Sequence, residues 1–479
     1  MLSVQEMRVL DRNLEYHGVS IEDLMERAGE GIAKVLLEKM GAEGARVLFL
    51  SGSGNNAGDG FVAARLLKDK AQVTVALAKA VDAISKGPAK VNHRRLPPEV
   101  RLVEPPLDPA ALVKEADVLV DGLMGTGIQG SLREPYRSVV EAMNASGKPI
   151  LAIDMPSGLG SDRVVAPQVT AALHQVKEGM EAKASGEVVV IDIGITEEME
   201  RLIGPGELLY YPKPELDAHK GASGRVLVVA GGPFTGAPSL SAMAAYRIGT
   251  DVVHVATPTW SAPVVAAFSP TLIVHRLGEE VLVPEDVPTL LRLAQEMDAV
   301  VIGPGLGREE TTLEAVRQFI RQLDRPFSVD ADGITAVAGD LTCVRGKVGV
   351  ITPHFQEFHR MSGVTLAPEE KKRMKQVADF AAKLGLTILQ KGSHDIVSDG
   401  KRTKVNITGN PGMTVGGTGD VLAGLVGSLL GKGVEPFNAA RIAAFANGFA
   451  GDIAFRELSY GMTATDVLDR IPSALIEFV

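Results

Sequence analysis

Short apolar segments that run into glycine-rich loops recur along this chain, and they constrain its fold more than any other feature. Residues 46–50 lead into the loop 51–60 and then into a helical segment from Phe61 to about Lys68. Residues 226–248 repeat that order. Strand, glycine loop and helix in succession form the unit of parallel α/β sheets. The pattern predicts an α/β protein, with further strands at 72–77, 116–120, 149–153, 187–191, 252–256, 299–302, 327–329, 348–351 and 387–389.

The strand and helix periodicity breaks once, in a proline-containing stretch at 205–218. The chain has 479 residues, enough for two or three domains of about 150 residues. We therefore predict an N-terminal domain at 1–211, a linker at 212–218 and a C-terminal domain at 219–479. Residues 1–40 predict two helices, because Ser3 and Ser20 each stand three residues before an acid, as in a capping box.

Composition narrows the class of protein. The 49 basic and 59 acidic residues leave a net charge of −10, which argues against a nucleic-acid partner. Cys343 is the single cysteine, so no disulfide framework or cysteine metal site is expected. The histidines lack metal-ligand spacing. No apolar run reaches the ~18 residues of a membrane span, and no leader is expected at the acidic N-terminus. We expect a soluble cytoplasmic protein with no membrane partner.

The segment from Gly416 to Gly424 contains four glycines, one threonine and Asp420. It runs into an apolar segment predicted to be a helix from Val421 to Leu430. Glycines leave the first N–H groups of a helix open, and those groups hold anions. A carboxylate repels phosphate, so Asp420 fits better as an acid or base acting on a hydroxyl group beside a transferring phosphoryl group. The alternative is an ordinary acid near a helix start.

The first glycine loop carries Asn55, Asn56 and Asp59. Its match to a dinucleotide fingerprint is weak, because strand 72–77 lacks the acid expected for a ribose. Two carboxamides and a carboxylate suit a carboxamide-bearing ligand or a hard cation. Asp121 and Asp154 follow two further strands and have glycine loops beside them, which predicts a ligand site along one rim of the sheet. The alternative is that these acids cap the next helices.

Two further residues are candidates for ligand contacts in the C-terminal half. The chain contains no P-loop, so Lys391 is the candidate to reach a nucleotide phosphate as a point charge. A solvated lysine in a turn is the alternative. His354, after Pro353, is a candidate donor to a ligand, although a lone histidine is more often structural.

Residues 219–479 resemble the ribokinase-like dehydratases. The resemblance is carried by HKG at 219–221, GG at 231–232, GPGLG at 303–307, TPH at 352–354, KG at 391–392, NPGM at 410–413 and GGTGD at 416–420.

Residues 1–211 resemble the YjeF N-terminal epimerase domain, a Rossmann-like three-layer sandwich. The matching motifs are LMERAG at 24–29, GNNAGDG at 54–60, Asp121 with GTG at 125–127 and DMPSGL at 154–159. Together the halves resemble the bifunctional NAD(P)H-hydrate repair enzymes, in which an epimerase is fused to an ADP-dependent dehydratase.

The resemblance implies residue roles in each half. In the epimerase half, the hydrated nicotinamide nucleotide would be held by Asn55, Asn56, Ala57, Gly58, Asp59, Gly125, Thr126, Gly127, Ile128, Gln129, Gly130, Ser131 and Asp154. Potassium would be held by Asn56, Asp121 and Ser157, with Asp154 as the acid–base candidate. In the dehydratase half, the hydrate would contact Ala237, Gly307, His354 and the catalytic Asp420. ADP, brought with Mg²⁺, would contact Lys391, Gly392, Ser393, His394, Asp395 and Gly419.

The chain departs from the family pattern at three places. Ala57 replaces a usual glycine, Thr414-Val415 replaces a usual Ala-Thr, and residues 161–186 are short and divergent. The resemblance implies substrates NADHX and NADPHX and the choice of ADP over ATP, and the apolar N-terminal helices suggest a homo-oligomer. Two alternatives stay open: a ribokinase-superfamily kinase acting on a small molecule, and an N-terminal half that serves only as a ligand-binding or scaffold module.

Overall fold

The computed structural model describes residues 3–84, 87–125, 130–180 and 182–479. The chain divides into two compact units, residues 1–200 and residues 201–479. Residues 205–210 form a 3-10 helix within the second unit. The boundary between the two compact units, at residues 200 and 201, therefore lies before the predicted linker at 212–218. The domain boundaries at 211 and 218 stay a prediction. Thr126, Gly127, Ile128 and Gln129, predicted site residues, lie outside the described residues.

The first unit is built on a seven-stranded sheet in which every strand pair is parallel. The strand order is β3-β2-β1-β4-β5-β6-β7, which extends the Rossmann order by one strand. The strands are β1 (Arg46–Ser51), β2 (Gln72–Leu77), β3 (Arg101–Val103), β4 (Val118–Gly122), β5 (Ile150–Ile153), β6 (Val169–Leu173) and β7 (Glu187–Ile191).

Both faces of this sheet are covered. Phe49 of β1 packs with Ile32 and Phe61 in one buried cluster. The next residue, Leu50, packs with Val140 in another cluster, as alternation along a strand requires. The three-layer arrangement predicted for this unit is confirmed. Its helices are α1 (Val4–Tyr16), α2 (Ile21–Lys39), α3 (Asn55–Leu67), α4 (Pro88–Arg94), α5 (Pro109–Glu115), α6 (Tyr136–Ala145), α7 (Ala182–Ser185) and α8 (Glu197–Arg201).

The predicted helix starts hold at α1 and α2 but not at α3. The hydroxyl group of Ser3 accepts the N–H of Glu6 at 3.1 Å, and Ser20 does the same for Asp23. The prediction that α3 begins at Phe61 is wrong, since α3 begins at Asn55. The glycines of this segment suit close helix packing rather than a loop: a Cβ on Gly58 would lie 2.6 Å from Met25 of α2.

The second unit contains a nine-stranded sheet in the order β10-β9-β8-β11-β12-β13-β14-β15-β16. Only the β14–β15 and β15–β16 pairs are antiparallel. The strands are β8 (Arg225–Val229), β9 (Val252–Pro258), β10 (Ile273–Leu277), β11 (Ala299–Ile302), β12 (Phe327–Val329), β13 (Gly349–Ile351), β14 (Thr387–Gln390), β15 (Asp395–Ser398) and β16 (Thr403–Asn406).

This sheet is also covered on both faces. Val229 of β8 packs with Leu290 and Phe319, and its neighbour Val228 packs with Ala242 and Ala423. The helices are α9 (Gly236–Arg247), α10 (Ala262–Phe268), α11 (Val287–Gln295), α12 (Glu310–Gln322), α13 (Asp332–Gly339), α14 (Phe355–Ser362), α15 (Glu370–Leu384), α16 (Thr418–Gly431), α17 (Pro436–Leu458) and α18 (Ala464–Phe478).

No helix in the described part of the chain is long and apolar enough to cross a membrane.

Candidate active sites

A cavity of about 930 Å³ lies in the first unit, between α1, α2, the start of α3 and the loops that follow β4, β5 and β6. It collects several of the predicted site residues: Asn55, Asn56, Ala57, Asp59, Gly125 and Asp154. Gly58 packs against Met25 instead. Gly130 pairs with Ser161 in an isolated bridge, and neither Gly130 nor Ser131 lines the cavity.

Asp154 is fixed by its backbone and by a lysine. It follows β5 with a left-handed φ of +65°, and its N–H donates to the carbonyl oxygen of Ala171 at 2.8 Å. One carboxylate oxygen accepts the N–H of Leu173 at 3.1 Å and contacts the Lys177 ammonium group. Lys177 is fully buried. Sequence reasoning missed Lys177, because the strand before it, β6, was not predicted within the divergent segment 161–186.

Two further carboxyl groups in this cavity have raised pKa values. Asp59 is only 5% exposed, and burial, followed by the charge of Asp154, raises its pKa well above the ordinary value. Asp11 of α1 also lines the cavity and keeps solvent contact. Burial and then Asp154 raise the pKa of Asp11 to about 6, while Lys177 opposes that shift. The cavity lining therefore combines the buried Lys177 ammonium group with five carboxyl groups, those of Asp11, Glu15, Glu22, Asp59 and Asp154.

The three predicted potassium ligands lie together beside the cavity. The Ser157 hydroxyl group donates to Asp121 at 2.6 Å, and the Ser157 N–H donates to the other carboxylate oxygen at 2.7 Å. The Asn56 side-chain amide donates to the carbonyl oxygen of Met124 at 3.3 Å, and the Met124 N–H donates to the Ser157 hydroxyl oxygen at 3.0 Å. Asp121 is 1% exposed, and burial raises its pKa to about 6 against the hydrogen bonds from Ser157. Oxygen donors around one buried carboxylate fit a hard cation.

No cluster of three or more His, Cys, Asp or Glu side chains suited to a metal ion occurs among the residues that the structure describes.

In the second unit, Asp420 lies in the first turn of α16. The predicted helix start at Val421 is therefore wrong, because Gly417, with a φ of +102°, caps a helix that begins at Thr418. The Thr418 hydroxyl group donates to the carbonyl oxygen of Met413 at 2.9 Å and closes the preceding turn. A Cβ on Gly416 would meet nothing within 4 Å, so the approach to the N-terminus of α16 is open there.

The pKa of the Asp420 carboxyl group lies near neutral pH. Burial, then the negative charge of Asp330, raises the pKa of Asp420 to about 7, and Lys391 opposes the shift. Its backbone is held from α9, where the Ser241 hydroxyl group donates to the Asp420 carbonyl oxygen at 2.8 Å. A group with a pKa near the working pH is suited to general acid–base catalysis.

Lys391 pairs with Asp330 next to the same helix end. The Nζ atom of Lys391 lies 2.6 Å from a carboxylate oxygen of Asp330, which is 2% exposed. Burial lowers the pKa of Lys391, but the charges of Asp330 and Glu357 and the hydrogen bond to Asp330 together outweigh burial, so the pKa is raised. A Cβ on Gly419 would lie 3.3 Å from this Nζ atom. Sequence reasoning missed Asp330, although it follows the predicted strand 327–329 directly.

A second acid anchors the glycine loop after β11. Gly307, with a φ of +87°, donates its N–H to Asp332 at 2.9 Å, and the Arg308 side chain donates to the other oxygen of Asp332. Ala237 lies near this loop, because a Cβ on Gly305 would be 3.2 Å from its side chain. Ala237, in the first turn of α9, thus lies beside the loop that holds Gly307.

His354 serves as a helix cap. Its Nδ1 atom accepts the N–H of Gln356 at 3.1 Å and of Glu357 at 3.4 Å, at the start of α14. Burial, then Lys391, lowers the pKa of His354, so the neutral ring is favoured. The capping role accounts for one ring nitrogen of His354.

The predicted nucleotide segment forms a hairpin turn between β14 and β15. Asp395 accepts the N–H of Gly392 at 3.0 Å and the side-chain amide of Asn406 at 3.1 Å. His394 lies 2.5 Å from Glu370. Asp395 therefore stabilises the turn that follows Lys391, and Ser393 lies exposed within that turn.

The parallel sheets and the carboxyl groups at their edges define a protein of two α/β units, Rossmann-like in the first and ribokinase-like in the second. Residues 226–473 match the family model described as NAD(P)H-hydrate dehydratase, and residues 21–179 match the model described as YjeF-related protein N-terminus. A ribokinase-like superfamily protein from Enterococcus faecalis shares the fold, at a TM-score of 0.50 and 24% identity over 58% of this chain and 96% of that chain.

Two relatives cover nearly the whole chain. The bifunctional NAD(P)H-hydrate repair enzyme Nnr of Pyrobaculum aerophilum is 41% identical over 98% of this chain and 97% of its own length. The protein of the same name from Archaeoglobus fulgidus is 40% identical over 99% and 98%. The chain therefore belongs to the family of bifunctional NAD(P)H-hydrate repair enzymes, and the resemblance stated for its sequence is confirmed.

Proposed function

We propose that the protein repairs hydrated NADH and NADPH. The second unit dehydrates the (6S) hydrate to NAD(P)H with ADP as phosphate donor, releasing AMP and phosphate. The first unit interconverts the R and S epimers, so that both reach the dehydratase. Family membership supports the pair of activities. The observation that carries the dehydratase assignment is Asp420, a half-buried carboxyl group with a pKa of about 7 at an open helix N-terminus beside Lys391.

The dehydratase residues have three roles: Asp420 is the base, the N–H groups from Gly416 to Gly419 bind the phosphoryl group, and Lys391 supplies a positive charge. Hydroxide is a poor leaving group, so the ring hydroxyl group is first phosphorylated. Asp420 takes the hydroxyl proton as the oxygen bonds to the β-phosphorus of ADP and AMP leaves. The N–H groups from Gly416 to Gly419 and the Lys391 ammonium group stabilise the transferring phosphoryl group. Phosphate then departs as the C–O bond breaks, and loss of a neighbouring ring proton restores the double bond.

The remaining contacts in this unit follow the family pattern. Ala237, Gly307 and His354 contact the hydrate, and Gly392, Ser393, His394, Asp395 and Gly419 contact the nucleotide. Mg²⁺ arrives with ADP and neutralises its charge. The position of Ala237 in the first turn of α9, beside the loop that holds Gly307, supports the hydrate site, and the closeness of Gly419 to Lys391 supports the nucleotide site.

In the first unit, the cavity is the substrate site. Residues 55–59, residues 125–131 and Asp154 hold the hydrated nucleotide, and Asp154 acts on its ring as acid or base. Asn56, Asp121 and Ser157 would hold K⁺, which would supply positive charge beside the substrate. The cavity volume and the clustering of oxygen atoms support this assignment.

A direct test uses separated (6R) and (6S) NADH hydrates. With the full-length protein and no nucleotide, chromatography should show each epimer converting to the other. With Mg²⁺ and ADP, NADH, AMP and inorganic phosphate should appear in equal amounts. A stable phosphorylated product would instead favour the small-molecule kinase, and epimers that never interconvert would favour a first unit that only binds. ATP in a parallel reaction tests the choice of donor.

The proposal extends to a cytoplasmic homo-oligomer that acts on small molecules without a nucleic-acid or membrane partner. The lone cysteine, Cys343, is buried and free, which fits a reducing compartment. Light scattering on the purified protein measures the oligomeric state, and a monomeric mass would reject that part.

A further inference from the structure

Lys177 contacts Asp154 in the cavity of the first unit, and its positive charge also acts on Asp11 and Asp59. Lys177 is fully buried, and its ammonium group contacts Asp154 and donates to the carbonyl oxygen of Leu173 at 2.5 Å. Asp11 and Asp59 line the same cavity. A buried ammonium group stabilises a carboxylate that it touches far more than one at a distance. The contact therefore assigns the negative charge to Asp154.

Asp59 stands in the opposite situation. It is nearly buried in the N-terminal part of α3, and among the described residues none donates a hydrogen bond to its carboxyl group. A buried carboxylate without donor or counter-ion is costly, so such a group keeps its proton. The raised pKa of Asp59, caused first by burial and then by Asp154, agrees with that geometry.

We propose that Asp59 and Asp154 are an acid–base pair for epimerisation, with Asp59 entering the reaction protonated and Asp154 ionised, and that Lys177 is the positioning residue that sets this assignment. The inference rests on the proposed epimerase activity and deepens it. Two carboxyl groups whose surroundings drive them to opposite protonation states are suited to give and take one proton.

The proton balance of the reaction closes with water alone. Asp59 gives its proton to the ring hydroxyl oxygen, the C–O bond breaks with its electron pair on that oxygen, and water leaves. The lone pair of the ring nitrogen stabilises the remaining cation. Water re-forms the C–O bond from the other face of the ring and loses a proton to Asp154. Return of that proton to Asp59 through water in the cavity resets the site.

Besides the residues already named, the charged residues Arg8, Arg12, Glu15 and Glu22 line the cavity in which Asp59 lies. Asp154 after β5, Asp11 on α1 and Lys177 after β6 are those whose charges act on Asp59. Beyond Lys177, His174 pairs with Glu200 at 3.0 Å. Of these groups Lys177 is the cation that contacts Asp154. Replacing Lys177 therefore isolates the effect of the Lys177–Asp154 ion pair.

The test compares full-length variants by the rate at which purified (6R) hydrate reaches epimer equilibrium without nucleotide. Lys177→Met keeps the apolar stem and removes the charge. It should lower kcat on the order of 10²-fold, the low end for a displaced acid–base group, with little change in KM. Lys177→Arg should recover part of the loss. Adding Lys177→Met to Asp154→Asn should cost nothing more, because Lys177 acts through Asp154.

The pH profile and infrared spectra separate this role from a purely structural one. In Lys177→Met, the acidic limb of the kcat/KM profile should move to higher pH. Near pH 7 the wild-type protein should show a protonated-carboxyl stretch that Asp59→Asn lacks, and Asp59→Asn should lose epimerisation. Dehydration of the (6S) hydrate checks that the second unit is intact, and thermal unfolding of each full-length variant checks that the first unit is folded.

Near-normal kcat in Lys177→Met or in Asp59→Asn would overturn the inference, as would a full additional loss when Lys177→Met is combined with Asp154→Asn. If Lys177→Met fails to fold, the Lys177→Arg rate and the Asp59→Asn spectrum decide. A wild-type protein that never interconverts the epimers would overturn the epimerase assignment itself. That result differs from an active wild-type protein whose variants are as active as it is, which would overturn only the inference.

Discussion

The two units use the same pair of residue types in different ways. In the first unit a buried lysine, Lys177, contacts Asp154, the predicted acid–base residue. In the second unit Lys391 pairs with Asp330, and the predicted base Asp420 is left beside the pair. In each unit the lysine contacts one carboxyl group, and burial raises the pKa of a neighbouring acid that lacks such a contact, Asp59 in the first unit and Asp420 in the second. The comparison therefore teaches that position relative to the lysine, more than residue type, sets the role of each acid.

The backbone around each acid differs as well. Asp154 stands at the end of β5 in a left-handed conformation, where it faces a cavity. Asp420 stands in the first turn of α16, beside the N–H groups of a glycine segment. A helix N-terminus stabilises transferring phosphoryl groups, whereas a strand end offers no such array. The first arrangement suits proton transfer alone, and the second suits phosphoryl transfer.

The largest effect is expected at the acid of the second unit. Asp420→Asn removes the base and should lower dehydration by about 10²–10⁴-fold, while ADP binding measured by calorimetry stays close to that of the wild type. Epimerisation by the first unit is the internal control. Near-normal dehydration would remove Asp420 from the mechanism and break the contrast between the units.

The next effect concerns the lysine pair. Lys391→Met leaves Asp330 buried without its cation, so the second unit should lose about 3 kcal/mol of stability and bind ADP more weakly. Denaturant unfolding, followed by a probe confined to the second unit, measures the stability. Adding Asp330→Asn should restore part of it, and a single variant as stable as the wild type would show that the pair is not a true ion pair.

The rate of dehydration should change gradually with pH, and this change should be smaller than the effects of the two preceding substitutions. Because the raised pKa of Asp420 is about 7 and a base acts when ionised, kcat/KM should rise with pH, level off above that value and fall about tenfold per unit well below it. Rates at saturating Mg²⁺ and ADP across this range measure the midpoint. A flat profile through pH 7 would contradict the assignment of Asp420 as base.

The smallest effect is expected at Ala331, between the two acids that follow β12. Its φ is +50°, which a residue with a Cβ adopts at a cost. Ala331→Gly should therefore stabilise the second unit by about 1 kcal/mol. Ala336→Gly, inside the helix α13, is the matched control and should destabilise by a similar amount. Equal destabilisation by both would show that Ala331 is unstrained.

Much of the fold could be predicted from the sequence because its signals are local. The strand 72–77 and the helix starts at Ser3 and Ser20 depend on residues within a few positions of each other. The strand Val169–Leu173 was missed, since a short run with no glycine loop after it has no such signal. The strand Asp395–Ser398 was missed because residues 391–395 were interpreted as a ligand loop, and the strand Thr403–Asn406 that pairs with it was missed as well.

The site could be predicted only in part. Asp154 and Asp420 were found because they stand in motifs that the family shares. Lys177 and Asp330 were not, because their importance arises from distant contacts, across 23 residues to Asp154 and across 61 residues to Lys391. A lysine such as Lys177 acquires its role because it is buried against a carboxyl group. Burial is a property of the folded chain, so the sequence alone does not reveal that role.

The most direct test of two separate sites in one chain is recovery of reduced-nicotinamide absorbance from mixed NADH hydrate epimers with Mg²⁺ and ADP. The wild-type protein should restore all of the absorbance, and Asp154→Asn should stop near the share of the (6S) epimer. Asp420→Asn should restore none, and a mixture of the two variants should restore everything. A wild-type protein that halts at one epimer's share, or variants that fail to complement each other, would contradict the assignment of one chemistry to each unit.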